Sequence, residues 1–260
     1  MPFESAAGIR YYQFDQLGDD LTQAVFTRQG GCSQAPWDSL NLGGTVGDDK
    51  QRVLENVNRA LSALDRAPGS IYDVWQVHGV NVAIAEAPRP VDALHLEADT
   101  ILTNTPGITL LMRFADCVPI FLNDPVRKVV GISHAGWMGT VRGTVRFAVE
   151  AMQARFGSKP GDILAGIGPS IGPDHYEVGP DVVAQVRQSF GQSAASLLEE
   201  RAGATHFNLW AANRLTLEKA GVRQVELAGL CTACHTGDWY SHRAERGRTG
   251  RFGAIIALDS

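Results

Sequence analysis

Two long segments of the chain repeat apolar residues at the three- and four-residue intervals of an amphipathic helix. The first follows Asp48-Asp49, either of which can cap a helix, and ends at Pro68-Gly69; its repeating residues are Val53, Val57, Leu61 and Leu64. The second follows Gly139 and ends at Gly157; its repeating residues are Val141, Val145, Ala148, Val149, Met152 and Phe156. Two further helices are predicted over residues 181–190 and 208–220.

Short apolar runs bounded by turn residues predict strands. The predicted strands span residues 21–27, 74–77, 82–85, 98–103, 108–112, 118–122, 128–133, 163–167, 224–230 and 251–258. Residues 74–77 and 82–85 flank His78-Gly79, which predicts a tight connection between two strands with His78 at its apex. A chain of 260 residues can form one large α/β or α+β domain or two small ones. Since no repeat, heptad run or low-complexity linker marks a boundary, we predict one α/β (α+β) domain that spans residues 1–260.

Composition and charge narrow the possible functions. The chain has 260 residues, of which 44% are apolar, enough for one large core or two small ones. A net charge of −5 argues against binding to nucleic acid or to an anionic membrane surface, because both need clustered cations. The arginine-rich segment 243–251 is a local exception. No run of apolar residues approaches the length of about 18 that a membrane span needs, and residues 1–10 lack the apolar core of a signal peptide. We therefore expect a cytoplasmic protein. We expect it to be a monomer or a small homo-oligomer.

Three residues with metal-ligating or nucleophilic side chains stand at predicted strand ends: His78, Cys117 and His134. A chain of this length does not need disulfides, so Cys117 is expected to be a reduced thiol, free to act as a ligand or a nucleophile. A catalytic zinc site uses three protein ligands and leaves the fourth position to water, which suits residues carried on separate strands. The alternative is a buried cysteine with two histidines that only cap turns.

Two other motifs are weaker. The Cys-x-x-Cys-His sequence at 231–235 matches the pattern of covalent haem attachment and contains a redox-type Cys-x-x-Cys. Since neither an export signal nor a preceding βα unit accompanies it, we interpret both matches as accidental. The loop 166–173 is dense in glycine and proline, which lets a ligand approach the backbone, but it is neither a Walker phosphate loop nor a dinucleotide fingerprint.

A series of longer motifs runs in order through nearly the whole chain. They are Trp-Asp-Ser-Leu-Asn-Leu-Gly (37–43), Gln-Val-His-Gly (76–79), Ala-Asp-Cys-Val-Pro (115–119), His-Ala-Gly-Trp (134–137), Gly-Pro-Ser-Ile-Gly (168–172), Tyr-Glu-Val-Gly (176–179), Cys-Thr (231–232), Tyr-Ser (240–241) and Gly-Arg (250–251). Together they closely resemble the YfiH family, whose members are described variously as laccase-domain proteins, purine nucleoside phosphorylases and peptidoglycan editing factors. Several of the motifs are too long for coincidence.

The resemblance implies packed mixed β-sheets covered by helices and a zinc ion bound by His78, Cys117 and His134. It also implies cleavage of purine nucleosides with phosphate, with adenosine deamination as a companion activity, for which a metal-activated water is suited. The substrate contacts expected from matching motif positions are Ser39, Asn41, Asp116, Gly168 and Tyr176. Arg243 is expected to be a further catalytic residue, in contact with the substrate anion, and Asp116 and Glu177 are candidates for the acid–base role.

Departures from the family pattern leave other functions open. Met138, Val57 and Ala244 stand where the family tends to have basic residues, which weakens the expectation of phosphate use. One alternative is an amidase that removes wrongly built peptidoglycan precursors, with Cys117 as nucleophile or zinc as Lewis acid. Another is a copper-dependent polyphenol oxidase, although several coppers need more ligands than the seven histidines readily supply. The last is a non-catalytic protein stabilised by a metal.

Overall fold

The computed structural model of the chain describes residues 2–259, which form fourteen strands and five α-helices. The strands are β1 (Phe3–Ala6), β2 (Ile9–Tyr12), β3 (Leu21–Phe26), β4 (Ile71–Tyr72), β5 (Val82–Ile84), β6 (Thr100–Thr103), β7 (Thr109–Phe114), β8 (Val118–Asp124), β9 (Val129–Ala135), β10 (Leu164–Ile167), β11 (Leu198–Arg201), β12 (Ala204–Phe207), β13 (Gln224–Leu227) and β14 (Phe252–Leu258). The helices are α1 (Lys50–Ser62), α2 (Trp137–Arg142), α3 (Thr144–Phe156), α4 (Pro180–Phe190) and α5 (Leu209–Lys219). Within residues 2–259, no helix combines the length and the apolar character needed to span a membrane.

Twelve of these strands form two six-stranded mixed sheets. The order of the first sheet is β1-β2-β3-β14-β7-β4, and that of the second is β13-β10-β8-β9-β6-β5. Most neighbours are antiparallel, but β4 and β7, β5 and β6, and β10 and β13 are parallel pairs. The strands β11 and β12 form a separate antiparallel hairpin. The architecture confirms the predicted mixed sheets covered by helices.

The alternation of side chains along a strand explains how the layers stack. In β14, Ala254 and Ile256 belong to an apolar core that also contains Phe121 of the second sheet. Ile255, between them in sequence, belongs instead to a cluster with Leu61 of α1. The opposite face of the second sheet packs against α3 and α5 in a third cluster. The layers are therefore α1, the first sheet, the second sheet, and α3 with α5.

The loop before β5 departs from the predicted hairpin. Residues 74–77 do not form a strand, and β5 pairs in parallel with β6 rather than with them. The N–H groups of Val77, His78 and Gly79 donate to the side chain of Asp99 and not to a neighbouring strand. The sequence pattern also missed β1, β2, β4, β11 and β12, and the strand predicted over 224–230 ends at Leu227. The helices α1, α4 and α5 agree with prediction within a few residues.

The single long helix predicted after Gly139 is divided into α2 and α3. Gly143 lies between them in the left-handed region, with φ of 79°, which glycine adopts at little cost. The Oγ1 hydroxyl of Thr144, the first residue of α3, donates to the carbonyl of Gly79 at 2.7 Å. The break in the helix therefore anchors the start of α3 to the loop that carries His78.

Candidate active site

His78, Cys117 and His134 converge at one end of the second sheet. His78 lies in the loop before β5, Cys117 directly precedes β8, and His134 is a residue of β9 paired with Pro119. One ligand atom from each side chain lies within 4.8 Å of the others, and Cys117 Sγ is 3.8 Å from His78 Nε2. Ligands about 2.1 to 2.3 Å from a zinc ion at tetrahedral angles lie about 3.4 to 3.8 Å apart. The three side chains thus have a separation that suits one metal ion.

Gly136, directly after β9, leaves the space that this arrangement needs. A Cβ atom at this position would lie 2.9 Å from Cys117 Sγ and 3.0 Å from His78 Cδ2. Both distances are shorter than van der Waals contact, so any other residue would push the two side chains out of place. The close approach of the backbone therefore requires glycine here.

A fully buried carboxylate orients the ring of His134 and holds the backbone of His78. Asp99, directly before β6, lies 2.8 Å from His134 Nδ1 through Oδ1, and the N–H of His78 donates to the same oxygen at 3.0 Å. The N–H groups of Val77 and Gly79 donate to Oδ2 at 3.2 and 2.6 Å. Because Nδ1 of His134 is engaged, Nε2 is left for a ligand, as in metal sites where a carboxylate orients a ligating histidine.

The electrostatics of the group favour a thiolate. Desolvation would raise the pKa of Cys117, but the charge of His134 and hydrogen bonds with both histidines outweigh it and lower the pKa to about 6. Burial would lower the pKa of His134, but the charge of Cys117 and the hydrogen bonds to Asp99 and Cys117 raise it to about 9. The thiolate is the form of cysteine that binds metals and attacks electrophiles, so the site is suited to either role.

A cavity of about 650 Å³ opens beside the three side chains, within the size range of small-molecule sites. Its wall includes Arg113, Arg243 and Arg251, together with the loop of residues 43–45. Guanidinium groups remain protonated under all ordinary conditions and match the geometry of phosphate and carboxylate oxygens. The cavity therefore combines a candidate metal site with three guanidinium groups, which can bind an anionic ligand.

Arg113 is held rigidly in the wall. Its Nε donates to the carbonyl of Leu42 at 2.7 Å, and its Nη1 donates to Asp73 Oδ2 at 2.8 Å. Its backbone exchanges two hydrogen bonds with the side chain of Gln76. Burial acts to raise the pKa of Asp73, but the charge of Arg113 and the hydrogen bonds from Arg89 and Arg113 lower it below its ordinary value. The carboxylate therefore stays charged and pins the guanidinium in place.

Arg251, directly before β14, is positioned by a residue that was predicted to touch the substrate. Asn41 is fully buried, and its Oδ1 accepts hydrogen bonds from the N–H groups of Arg251 and Gly43 at 2.8 and 2.9 Å. It does not line the cavity itself, but holds two residues that do. Burial lowers the pKa of Arg251, a sign that its guanidinium is partly desolvated. A cation in that state binds an anion more strongly than one exposed to water.

Arg243, the expected phosphate contact, lies on the wall with Asp116 and Tyr176. Its backbone N–H donates to Asp116 Oδ2 at 2.6 Å, and its Nη1 donates to the carbonyl of Glu177 at 2.9 Å. The other carboxylate oxygen of Asp116 accepts from Thr232 Oγ1 at 2.7 Å. Both oxygens of Asp116 are therefore engaged in holding loops together. Glu177, the other acid–base candidate, does not line this cavity.

Ser39 and Gly168, also predicted as substrate contacts, lie outside the lining of the cavity. The hydroxyl of Ser39 donates to the carbonyl of Arg28 at 3.0 Å and so braces its own loop. A Cβ atom at Gly168 would lie 2.8 Å from Pro119 Cγ, so this glycine allows two chain segments to pack closely. At these two positions the structure shows contacts within the fold, and contact with the substrate stays a prediction.

The three departures from the family pattern also lie away from the lining. Val57 is buried in the face of α1 that packs on the first sheet, Met138 is in α2, and Ala244 follows Arg243 on the surface. None of the three lines the cavity. The three guanidinium groups of the wall are therefore present despite those departures.

Sequence reasoning missed Asp99, Arg113 and Arg251 as members of the site. Asp99 and Arg113 are charged residues within or beside apolar strand segments, and a buried charge is tolerated only when it is paired. A charged residue in a segment that is predicted to be buried was therefore the signal that could have identified Asp99 and Arg113. Arg251 stands in a motif shared with the family, but its role follows only from the fold, which brings the start of β14 beside β7.

The fold and the site together define an α/β protein with a candidate His/Cys metal site at a cation-lined cavity. The sequence pattern of the family described as multi-copper polyphenol oxidoreductase laccase matches residues 22–259. The chain belongs to this family. The resemblance to YfiH proteins is confirmed by the solved structure of the hypothetical protein YfiH from Bacillus licheniformis, with a TM-score of 0.92, 33% identity and coverage of 99% of both chains.

Other relatives resemble the chain over nearly its full length. A purine nucleoside phosphorylase of Deinococcus radiodurans is 42% identical over 92% of this chain and 89% of its own. The purine nucleoside phosphorylase YlmD of Bacillus subtilis is 34% identical over 95% of this chain and 91% of its own. The crystal structure of YlmD from Geobacillus stearothermophilus matches with a TM-score of 0.93 and 32% identity, and covers 100% of this chain and 99% of that one.

Proposed function

We propose that the protein is a zinc-dependent enzyme that cleaves purine nucleosides with phosphate. The observation that carries the proposal is that three guanidinium groups line the same cavity as the three side chains of the candidate metal site. Phosphorolysis requires that phosphate be held against the sugar while the base departs, and guanidinium groups are suited to the first task. The relatives named purine nucleoside phosphorylase, at 33 to 42% identity, support the same reaction.

The donor atoms of the triad favour zinc as the metal. Two imidazole nitrogens and one thiolate form a set that zinc accepts in catalytic sites with an open fourth position. Copper also binds such donors, but a laccase-type electron relay needs several copper ions, and His78, Cys117 and His134 provide ligands for one. A zinc ion held there would supply Lewis acidity beside the cavity.

The residues of the chain divide the remaining tasks. We assign phosphate binding to Arg113, Arg243 and Arg251. Arg113 is a residue of β7, and Arg251 directly precedes the adjacent strand β14. We assign contact with the nucleoside to Tyr176, whose ring lines the cavity and lies 5.1 Å from the guanidinium of Arg243. Asp99 keeps His134 oriented, and Asp116 joins the loops that carry Arg243 and Thr232.

A product assay tests the reaction type. Adenosine or inosine is incubated with the purified protein, with and without phosphate, and the products are separated by chromatography. We expect free base and ribose 1-phosphate, formed only when phosphate is present. We expect less deamination than phosphorolysis, because zinc deaminases use a free glutamate for proton transfer, whereas Asp73 and Asp116, the carboxylates on this wall, are both hydrogen-bonded. Absence of free base under all conditions would refute the proposal.

The pKa of about 6 at Cys117 favours a second candidate function, an amidase that acts on peptidoglycan precursors. A thiolate paired with an imidazolium is the nucleophile of many amide-cleaving enzymes. The two functions differ in the reactivity of Cys117 Sγ. A sulfur that binds zinc is shielded from alkylating reagents, whereas the sulfur of a free nucleophile is accessible to them. Iodoacetamide should therefore alkylate Cys117 slowly in the zinc-loaded protein and rapidly after chelation. Rapid alkylation at full zinc occupancy, with acyl transfer from amide substrates, would favour the amidase.

Replacement of Arg243 by alanine should raise the KM for phosphate and lower kcat/KM roughly tenfold to a hundredfold. The reason is the loss of one guanidinium from the anion-binding wall, while the metal ligands remain in place. Steady-state kinetics at sub-saturating phosphate, together with zinc analysis, measure both effects. Arg248→Ala is the matched control, because Arg248 is exposed and does not line the cavity. Wild-type kinetics in Arg243→Ala would show that Arg243 only packs against Tyr176.

A further inference from the structure

A second group of metal-ligating side chains lies outside the candidate active site. Asp174, His175, Cys231 and Cys234 each offer one ligand atom, and these four atoms all lie within 4.8 Å of one another. Cys231 is buried, whereas the other three reach the surface. The group includes both cysteines of the Cys-x-x-Cys motif, which has no part in the proposed reaction. His235, which completed the haem-like pattern in the sequence, is not part of it, since its Nδ1 lies 3.0 Å from the carbonyl of Cys231.

The distances within the group match those around a tetrahedral zinc ion. His175 Nδ1 is 3.8 Å from Cys231 Sγ and 3.4 Å from Cys234 Sγ. Asp174 Oδ2 is 3.3 Å from Cys234 Sγ and 3.1 Å from His175 Nδ1. Tetrahedral zinc with two sulfur, one nitrogen and one oxygen ligand places its donor atoms about 3.4 to 3.8 Å apart. Small movements of exposed side chains would therefore complete the coordination.

The backbone around the group is shaped to hold Cys231. The N–H of Gly172 donates to Cys231 Sγ at 3.2 Å, a bond that stabilises a thiolate and fixes its direction. A Cβ atom at Gly172 would lie 2.6 Å from Asp174 Oδ1 and 3.1 Å from the side chain of Trp210. Glycine at this position therefore leaves room for Asp174 to lie beside Cys231.

The fold explains why residues so distant in sequence meet. The strands β10 and β13 are parallel neighbours, so the segments that follow them leave the same edge of the sheet. Ser170 and Cys231 then form an isolated parallel bridge, which sets the two segments side by side. One segment brings Asp174 and His175, and the other brings Cys231 and Cys234. This meeting is independent of the loop that carries His78.

We propose that Asp174, His175, Cys231 and Cys234 form a second, structural zinc site. Four protein ligands fill a tetrahedral shell and leave no open position, which is the pattern of structural rather than catalytic zinc. Binding releases the protons of the two thiols, and the ion adds a further link between two segments that meet at the Ser170–Cys231 bridge. Thr232, between the two cysteines, donates to Asp116 on the cavity wall, so the ion fixes a support of the active site. Tyr176 of that wall directly follows His175.

Metal analysis of purified variants tests the site separately from the triad. We expect about two zinc ions per chain in the wild type, one in Cys117→Ala, one in Cys231→Ser/Cys234→Ser, and none in the triple variant. Cys32→Ser is the control, because Cys32 belongs to neither group. His175→Asn is a second test of the site that should not disturb folding, because the side chain of His175 is 45% exposed. It should also release one zinc and lower the thermal midpoint by several degrees, while circular dichroism stays unchanged.

X-ray absorption by zinc in the Cys117→Ala protein identifies the ligands of the remaining ion. We expect two sulfur and two nitrogen or oxygen neighbours, whereas an ion left at the triad of this variant, on His78 and His134, would have no sulfur neighbour. Zinc-free Cys117→Ala protein, in zinc-supplemented buffer, would overturn the proposal. A Cys231–Cys234 disulfide in freshly purified, unreduced protein would also overturn it, because oxidised sulfurs cannot bind the ion. Neither result bears on the zinc of the triad, because the zinc content of the Cys231→Ser/Cys234→Ser protein measures that site separately.

Discussion

Replacement of Cys117 by alanine is expected to remove zinc from the triad and to lower kcat/KM for nucleoside cleavage about a thousandfold or more. The thiolate is the anionic member of the ligand set, and its pKa of about 6 keeps it available for the metal at neutral pH. Without it, only the two imidazoles remain to hold the ion, and they hold it weakly. A catalytic metal contributes several kcal/mol of transition-state stabilisation, and a thousandfold in rate corresponds to about 4 kcal/mol.

The measurement pairs elemental analysis with steady-state kinetics on the same preparation. His134→Ala should behave alike, because it removes the ligand that Asp99 orients. Cys32→Ser is the matched control: its side chain lies 3.3 Å from Asn56 Oδ1, a bond that serine can keep, and it is outside the cavity. Full activity in Cys117→Ala with one zinc fewer would show that the ion is not catalytic. Undiminished zinc would show that Cys117 is not a ligand.

Much of the fold followed from local patterns because its helices and central strands carry strong periodic signals. The segments that became β8, β9 and β14 are continuous apolar runs, as expected for strands covered on both faces. The missed strands are mostly four residues or fewer and half-exposed, as in β1, so their local signal is weak. The division at Gly143 was missed because the apolar repeat continues across it.

The site was predictable only where its residues carry chemistry of their own. The triad stood out because histidine and cysteine at strand ends are recognisable as ligands. Arg113 could not be placed, because its position on the wall depends on β7 lying beside β14 and on its pairing with Asp73. The Cys-x-x-Cys motif was visible, but Asp174 and His175 join it through parallel pairing of strands about 60 residues apart in sequence. Such meetings are set by topology and leave no local pattern.

Replacement of Asp99 by asparagine is expected to weaken zinc binding at the triad about tenfold to a hundredfold and to destabilise the fold by about 2 to 5 kcal/mol. Three backbone N–H groups and His134 Nδ1 converge on the two oxygens of Asp99. Asparagine has one acceptor oxygen, and its amide group would face at least one of these donors. If the amide faces His134, the ring loses the bond that directs Nε2 towards the metal. If it faces Val77 and Gly79, the His78 loop loses its support.

Both outcomes lower metal affinity, so the prediction does not depend on which way the amide turns. Competition with a chelator measures the affinity, and denaturant unfolding of the chelator-treated protein measures stability without the contribution of bound metal. Asp124→Asn is the matched control, since Asp124 is also fully buried and accepts two backbone N–H bonds, but at the turn between β8 and β9. Both bonds go to Oδ1, which asparagine retains, so this variant should keep its zinc affinity and lose little stability. Equal affinity in wild type and Asp99→Asn would contradict the role of Asp99, because the ligands would then hold their geometry without it.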